Sequence, residues 1–294
     1  MRRGIALLLF AAAPAAAHDG NVHGPGWITD LWVTGPLALT ALLFLVGFAR
    51  LWRRSDLGRS ALKRSFWLFA AGWTTLAAAV VTPLHEAGER SFTMHMIEHE
   101  LIMLVAALLL VASRPGAAML WALPADWRRA LGSVGNDLLR KPWRWLTDPV
   151  VATAIQAAVM WLWHMPALFD RALAAEGWHI AQHLSFLVSA LLFWWAMSYG
   201  RSGRHGYGLS AICLFITSLV GGALGALMAF SESPWYAGYA AIGMTPIGLT
   251  PAEDQQLAGL LMWIPGGLVH AGAALFFLYR WLKASEGRHA ATAH

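Results

Sequence analysis

The segment Phe92-Thr93-Met94-His95-Met96-Ile97-Glu98-His99-Glu100-Leu101 places two imidazoles four residues apart, hence on one face of a helix. Met103 continues the same stripe four residues on. A second pair with this spacing, His179 and His183, stands in Trp178-His179-Ile180-Ala181-Gln182-His183. Each pair offers a metal two neighbouring ligands, and a partner helix completes three- or four-coordination. Imidazole suits copper, zinc and iron, whereas thioethers select copper(I). Cys213 is the single cysteine, so no Cys-pair metal site exists.

The candidate primary ligands are therefore His95, His99, His179 and His183, with His164 and His85 next. Met94, Met96 and Met103 are accessory candidates, and Met165 lies close by. Glu98, beside His99, fits a carboxylate that orients an imidazole from behind the ligands. Asp254 fits the same role or the cap of its own helix. A lone histidine at a membrane interface ordinarily anchors by hydrogen bonding, and a methionine stripe ordinarily packs. Two pairs at equal spacing favour a metal over those readings.

These residues need a scaffold, and composition says which. Of the 294 residues 58% are hydrophobic and 13% charged, about half the charge of a soluble domain. Stretches of about 20 apolar residues cross a bilayer. Seven are expected near 31–49, 66–82, 94–113, 149–169, 179–199, 209–230 and 257–279, an all-α polytopic bundle occupying residues 31–282. Seventeen of the 21 basic residues fall in the loops after the first, third, fifth and seventh spans. That side is expected to be cytoplasmic, with residues 283–294 as a cytoplasmic tail.

The N-terminus agrees. Arg2 and Arg3, the apolar run Ile5 to Ala13 and Ala15-Ala16-Ala17 have the form of a secretory signal over residues 1–17; an uncleaved anchor is the alternative. Residues 18–30 would then be an extracytoplasmic tail. It carries His18 and His23, further candidate copper ligands if cleavage frees the amine of His18.

On this topology His85, His95, His99, His164, His179 and His183 share the extracytoplasmic layer. Both return helices read His-x-x-[Glu/Gln]-His, a possible duplicated ligand platform. His270 lies 16 residues beyond Asp254, about 24 Å deeper, past Pro265-Gly266-Gly267, which reads as a helix break.

The net charge of +5 is scattered over short loops and presents no nucleic-acid surface; membrane lipid is the expected contact. The Arg114–Asp148 loop, with Trp127, Trp143 and Trp145, reads as partly interfacial. His99-Glu100-Leu101-Ile102-Met103 lacks the second histidine of a zincin, and no Walker loop, dinucleotide fingerprint or nucleophile elbow is present.

Taken in order, four segments resemble the CtaG family of multi-spanning cytochrome c oxidase assembly factors, as distinct from the single-span, cysteine-bearing copper chaperone sharing that name. They are Met94 to His99 with Arg114-Pro115, then Trp163-His164-Met165-Pro166 with Phe169. His179 to His183 leading to Phe193-Trp194-Trp195 is the third, and Asp254 to Gly259 leading to Met262-Trp263-Ile264-Pro265-Gly266 the last. The resemblance spans roughly residues 80–280. It implies a seven-span plasma-membrane protein that supports assembly of a haem–copper oxidase and delivers copper to it. Its implied partners are oxidase subunits and a periplasmic copper donor. His18 and His23 lie outside this pattern.

The reading is therefore of a non-enzymatic copper-handling assembly factor. A b-type cytochrome or membrane oxidoreductase is the main alternative, with haem between the two hairpins. A metal-free scaffold for oxidase subunits is another. A copper permease needs polar residues across the bilayer, and His270 stands nearly alone in the inner half.

Overall fold

The computed structural model describes residues 27–55, 58–130, 140–200 and 206–292. Among these the chain is all-helical and contains no strand. Six helices are long and apolar enough to cross a membrane, or seven if a pair bent by 66° counts as one span. This is a multi-pass membrane protein. The signal-like segment, His18, His23 and His205 lie outside the described residues.

Helix α1 (Leu31–Arg54) and α2 (Arg59–Val81) form the first hairpin, joined through Phe44 stacked on Phe69 at 3.7 Å. The second span ends at Val81, close to the expected 82, and His85 sits on a helix of its own. Thr82 stops α2, caps the next helix by accepting from the Leu84 amide, and Pro83 opens a short helix, α3 (Pro83–Arg90), that holds His85. Proline at the first helical position loses no bond, because that amide has no partner in the helix anyway.

The third span is a composite. It runs as α4 (Phe92–Glu100), a π-helical stretch (Leu101–Ala106) and α5 (Ala107–Ser113). Such π segments free backbone groups and recur at functional sites. Here the carbonyl of Met103 is taken up by the Trp194 indole N–H at 2.9 Å. After α5, Arg114 adopts a left-handed backbone (φ 52°) and α6 (Pro115–Ala122) turns back against α1.

The fourth span departs from the expected 149–169. Helix α8 (Pro149–Trp163) ends where Met165, preceding Pro166, is extended; a residue before proline is driven out of the helical region. The chain resumes as α9 (Pro166–Ala174). At about 1.5 Å per residue α8 alone is too short to span a bilayer; with the preceding α7 (Arg140–Leu146), bent from it by 66°, it forms either one broken span or a re-entrant segment.

Next come α10 (Glu176–Tyr199), α11 (Gly206–Ala229), the short α12 (Ala237–Ile242) and α13 (Pro251–Thr292). Helix α13 runs through Pro265-Gly266-Gly267 unbroken, correcting the expected break. Proline inside a membrane helix is tolerated where neighbours satisfy the freed backbone groups. Glycines let α11 and α13 touch. A Cβ at Gly225 would sit 2.7 Å from the Gly259 carbonyl oxygen, and one at Gly259 would sit 2.5 Å from the Gly225 oxygen. Between apolar helices in lipid, such close contact is the main attractive term. Leu219, Phe230, Leu268 and Leu275 point outward, as lipid-facing residues should.

Candidate metal centre

Six histidines from four elements meet at one end of the bundle. His85 comes from α3, His95 and His99 from α4, His164 from the C-cap of α8, and His179 and His183 from the first turns of α10. Ring centroids are 4.3 Å apart for His95–His99 and 4.4 Å for His179–His183, so both i,i+4 pairs point their rings the same way. The pairs face each other: His95–His179 is 5.2 Å and His99–His183 5.0 Å. His85 stacks on His179 at 4.8 Å, and His164 stands at the edge, 6.5 Å from His99.

Two triads result, His85/His179/His183 and His95/His99/His183, each with ligand nitrogens within 4.8 Å of one another. His183 belongs to both. The site is walled by Phe169, 5.1 Å from His95, and Phe186, 4.6 Å from His99. His95, Glu98 and Gln182 are wholly buried.

For three of the rings the hydrogen bonds decide which nitrogen carries the proton. Glu98 Oε1 accepts from His85 Nδ1 at 2.7 Å and lies 3.3 Å from His183 Nδ1 as a close polar contact. The Met160 carbonyl accepts from His164 Nδ1 at 2.6 Å. Tyr239 gives its only proton to the Gly88 carbonyl, so His95 Nδ1, 3.1 Å from the same phenol oxygen, must be the donor there. His85, His95 and His164 are thus held with a proton on Nδ1, which leaves the lone pair of His95 and His164 on Nε2.

A set of ring nitrogens in the cluster is buried with no protein partner. Nε2 of His95, His164, His179 and His183 and both nitrogens of His99 are buried without a hydrogen bond. The Gln182 amide lies beside His95 but does not reach bonding geometry. An unsatisfied buried polar atom costs about 1–3 kcal/mol, and a guest that takes lone pairs would relieve that cost. Burial alone would disfavour charge on His85. The Glu98 bond and the nearby carboxylates of Glu89 and Glu86 outweigh it and raise its pKa above the ordinary value.

Other sequence candidates fall elsewhere. Met96 packs with Phe92 and Phe169 in an apolar cluster, and Met165 is exposed. Met94 is half-buried and Met103 lies a turn deeper, lining a separate cavity. Asp254 touches no histidine and does not cap its own helix, which Thr250 and Glu253 close by reciprocal bonds. Instead its carboxylate accepts from Ser91 Oγ, Phe92 N and Thr93 N, capping α4 across the bundle.

Two functional positions escaped the sequence reading. Tyr236 donates to the His164 carbonyl at 3.0 Å, and Tyr239 fixes His95. Both flank the start of α12, which Asp170 caps through Ala237 N and Gly238 N. Two of the five tyrosines, three apart in the loop between the last two spans, were the available signal.

With this geometry established, comparison with known families is informative. Residues 42–284 match the family described as cytochrome c oxidase caa3 assembly factor (Caa3_CtaG). The chain belongs to this family. No curated protein and no solved structure matches it. As a member of the caa3 assembly factors the protein works with cytochrome c oxidase components. The matched region includes all six histidines, Glu98, Asp254, Tyr236 and Tyr239.

Proposed function

We propose that this assembly factor takes up copper at the histidine cluster and hands it to a haem–copper oxidase during assembly. The supporting observation is the set of buried, unbonded imidazole nitrogens, gathered into two triads within 4.8 Å, with His85, His95 and His164 fixed by partners behind the rings. Such rings bind a metal with little reorganisation. The protein acts as a carrier and catalyses no reaction. It lies in the bacterial plasma membrane with the cluster on the extracytoplasmic side, within reach of a periplasmic copper donor and of the oxidase subunits.

Copper is favoured over haem because the rings are in mutual contact at 4.3 to 5.7 Å, which leaves no slot for a macrocycle. It is favoured over zinc because a layer of thioethers lies directly beneath the imidazoles. With His183 common to both triads, a single ion exchanges between them while one ligand stays attached. That suits cargo better than a permanent structural metal.

The test is metal content and optical spectrum of detergent-purified protein, wild type against His183→Ala. The expected result is bound copper in the wild type, its loss in the variant, and no Soret band. A Soret band lost in the variant would make the protein a cytochrome. Absence of copper from both after reconstitution with copper(I) would leave a metal-free scaffold.

A further inference from the structure

A mainly apolar cavity with a few polar groups lies inside the bundle, below the histidines. Its volume is about 30 Å³, and Glu100, Gln156, Met103, Met160, Met262 and His270 are among its lining residues. A space of this size holds a bare ion or one or two waters. Glu100 Oε2 and Gln156 Oε1 are buried there without a hydrogen bond.

Thr217 and Ser218 also line the cavity, but their hydroxyls donate to the Cys213 and Gly267 carbonyls. The unbonded oxygens of Glu100 and Gln156 accept, and thioethers offer only lone pairs. What they lack is a proton, a donor or a cation. A carboxylate inside a membrane is costly unless a proton or a cation neutralises it, and one carboxylate balances one monovalent charge. Three thioethers beside it select a soft ion. The backbone makes room for this carboxylate, since a Cβ at Gly266 would press on Glu100 Oε2 at 3.2 Å.

The cavity is also in register with the histidines. Met103 follows His99 by four residues, and Met160 precedes His164 by four, so each thioether continues an imidazole stripe about one turn, or about 6 Å, inward. The π-helical stretch at Leu101–Ala106, anchored by Trp194 on the Met103 carbonyl, sets the backbone at this level.

We infer that Met103, Met160 and Met262, with Glu100 as the counter-charge, form a second, copper(I)-selective site one turn inward from the histidine cluster. It rests on the copper reading above and adds a holding position that favours the reduced ion. Cargo at this depth is shielded from water and oxidants, and it returns to the histidines when they are vacated.

Silver(I), monovalent, soft and not redox-active under these conditions, is the probe. Full-length protein in detergent is dialysed against silver(I), and the bound ion is examined by X-ray absorption for nitrogen and sulfur neighbours. Wild type is expected to show both. His183→Ala should lose the nitrogen signal and keep sulfur; Met160→Leu/Met262→Leu should do the reverse. Glu100→Gln, which preserves volume, should weaken the sulfur-bound silver about tenfold or more, with an unchanged unfolding temperature as the folding control. Sulfur scattering that survives the double methionine variant, or silver affinity unaffected by both it and Glu100→Gln, overturns the second site. A cavity holding only water gives that same overturning result. Sulfur without nitrogen in the wild type would instead defeat the histidine reading and leave the inner site standing.

Discussion

At the scale of single residues, the site is defined by what stands behind each imidazole. The histidines were legible in the sequence because i,i+4 spacing fixes a common helix face whatever surrounds it. Tyr239 was not, because its bond to His95 joins residues 144 apart in the chain and no local pattern reports such a contact. Yet the phenol is what assigns the proton to Nδ1 of His95. In Tyr239→Phe the ring loses its acceptor, the tautomer is free to switch, and Nε2 is no longer a guaranteed lone pair. Copper(I) affinity at the cluster, measured by competition with a chromophoric chelator, should fall about 10- to 100-fold, as for other groups that orient metal ligands from behind. Affinity equal to wild type would mean that packing against Phe169 holds His95 unaided.

At the scale of elements, the spans were readable from hydropathy, and their ends were not. Thr82-Pro83 detaches His85 onto its own helix, and Pro166 cuts the fourth span short. Pro265 stood out as a breaker but sits inside a continuous helix. The difference lies in whether neighbouring helices satisfy the freed backbone groups, which is a tertiary fact. Asp254 shows the same limit: sequence proximity suggested a cap for α13, whereas the carboxylate caps α4 and so fixes the helix carrying His95 and His99. Asp254→Ala leaves the Ser91 hydroxyl and the Phe92 and Thr93 amides without their acceptor. It should destabilise the protein by about 2 kcal/mol or more, read as a lower unfolding temperature in detergent. Asp254→Asn retains an acceptor oxygen and should recover part of the loss. A pair of variants equal to wild type would show that Ser91 caps α4 alone.

At the scale of the whole molecule, charge and ligands separate to opposite ends. Arg50, Arg53 and Arg54 close α1, Arg114 follows α5, and Arg280 lies near the far end of α13, while every histidine of the cluster sits at the other end. Some of these cations are tied to the protein as well as to the membrane surface. Arg50 donates to the Trp121, Ala122 and Leu123 carbonyls that end α6, and Arg114 lies 4.3 Å over the Tyr199 ring. Because basic loops are retained in the cytoplasm, we expect this asymmetry to put the histidines outside and the C-terminus inside. A fluorescent protein that matures only in the cytoplasm, fused after His294, should be bright, and alkaline phosphatase at the same position should be inactive. The opposite pattern would turn the cluster toward the cytoplasm. Copper would then have to come from a cytosolic donor and cross the bundle to reach an extracytoplasmic oxidase centre. The inner half offers His270, stacked on Trp194 and bonded to the Gly266 carbonyl, as its chief polar side chain along α13, which is a poor path for a cation. The orientation experiment therefore tests the direction of copper transfer as well as the topology.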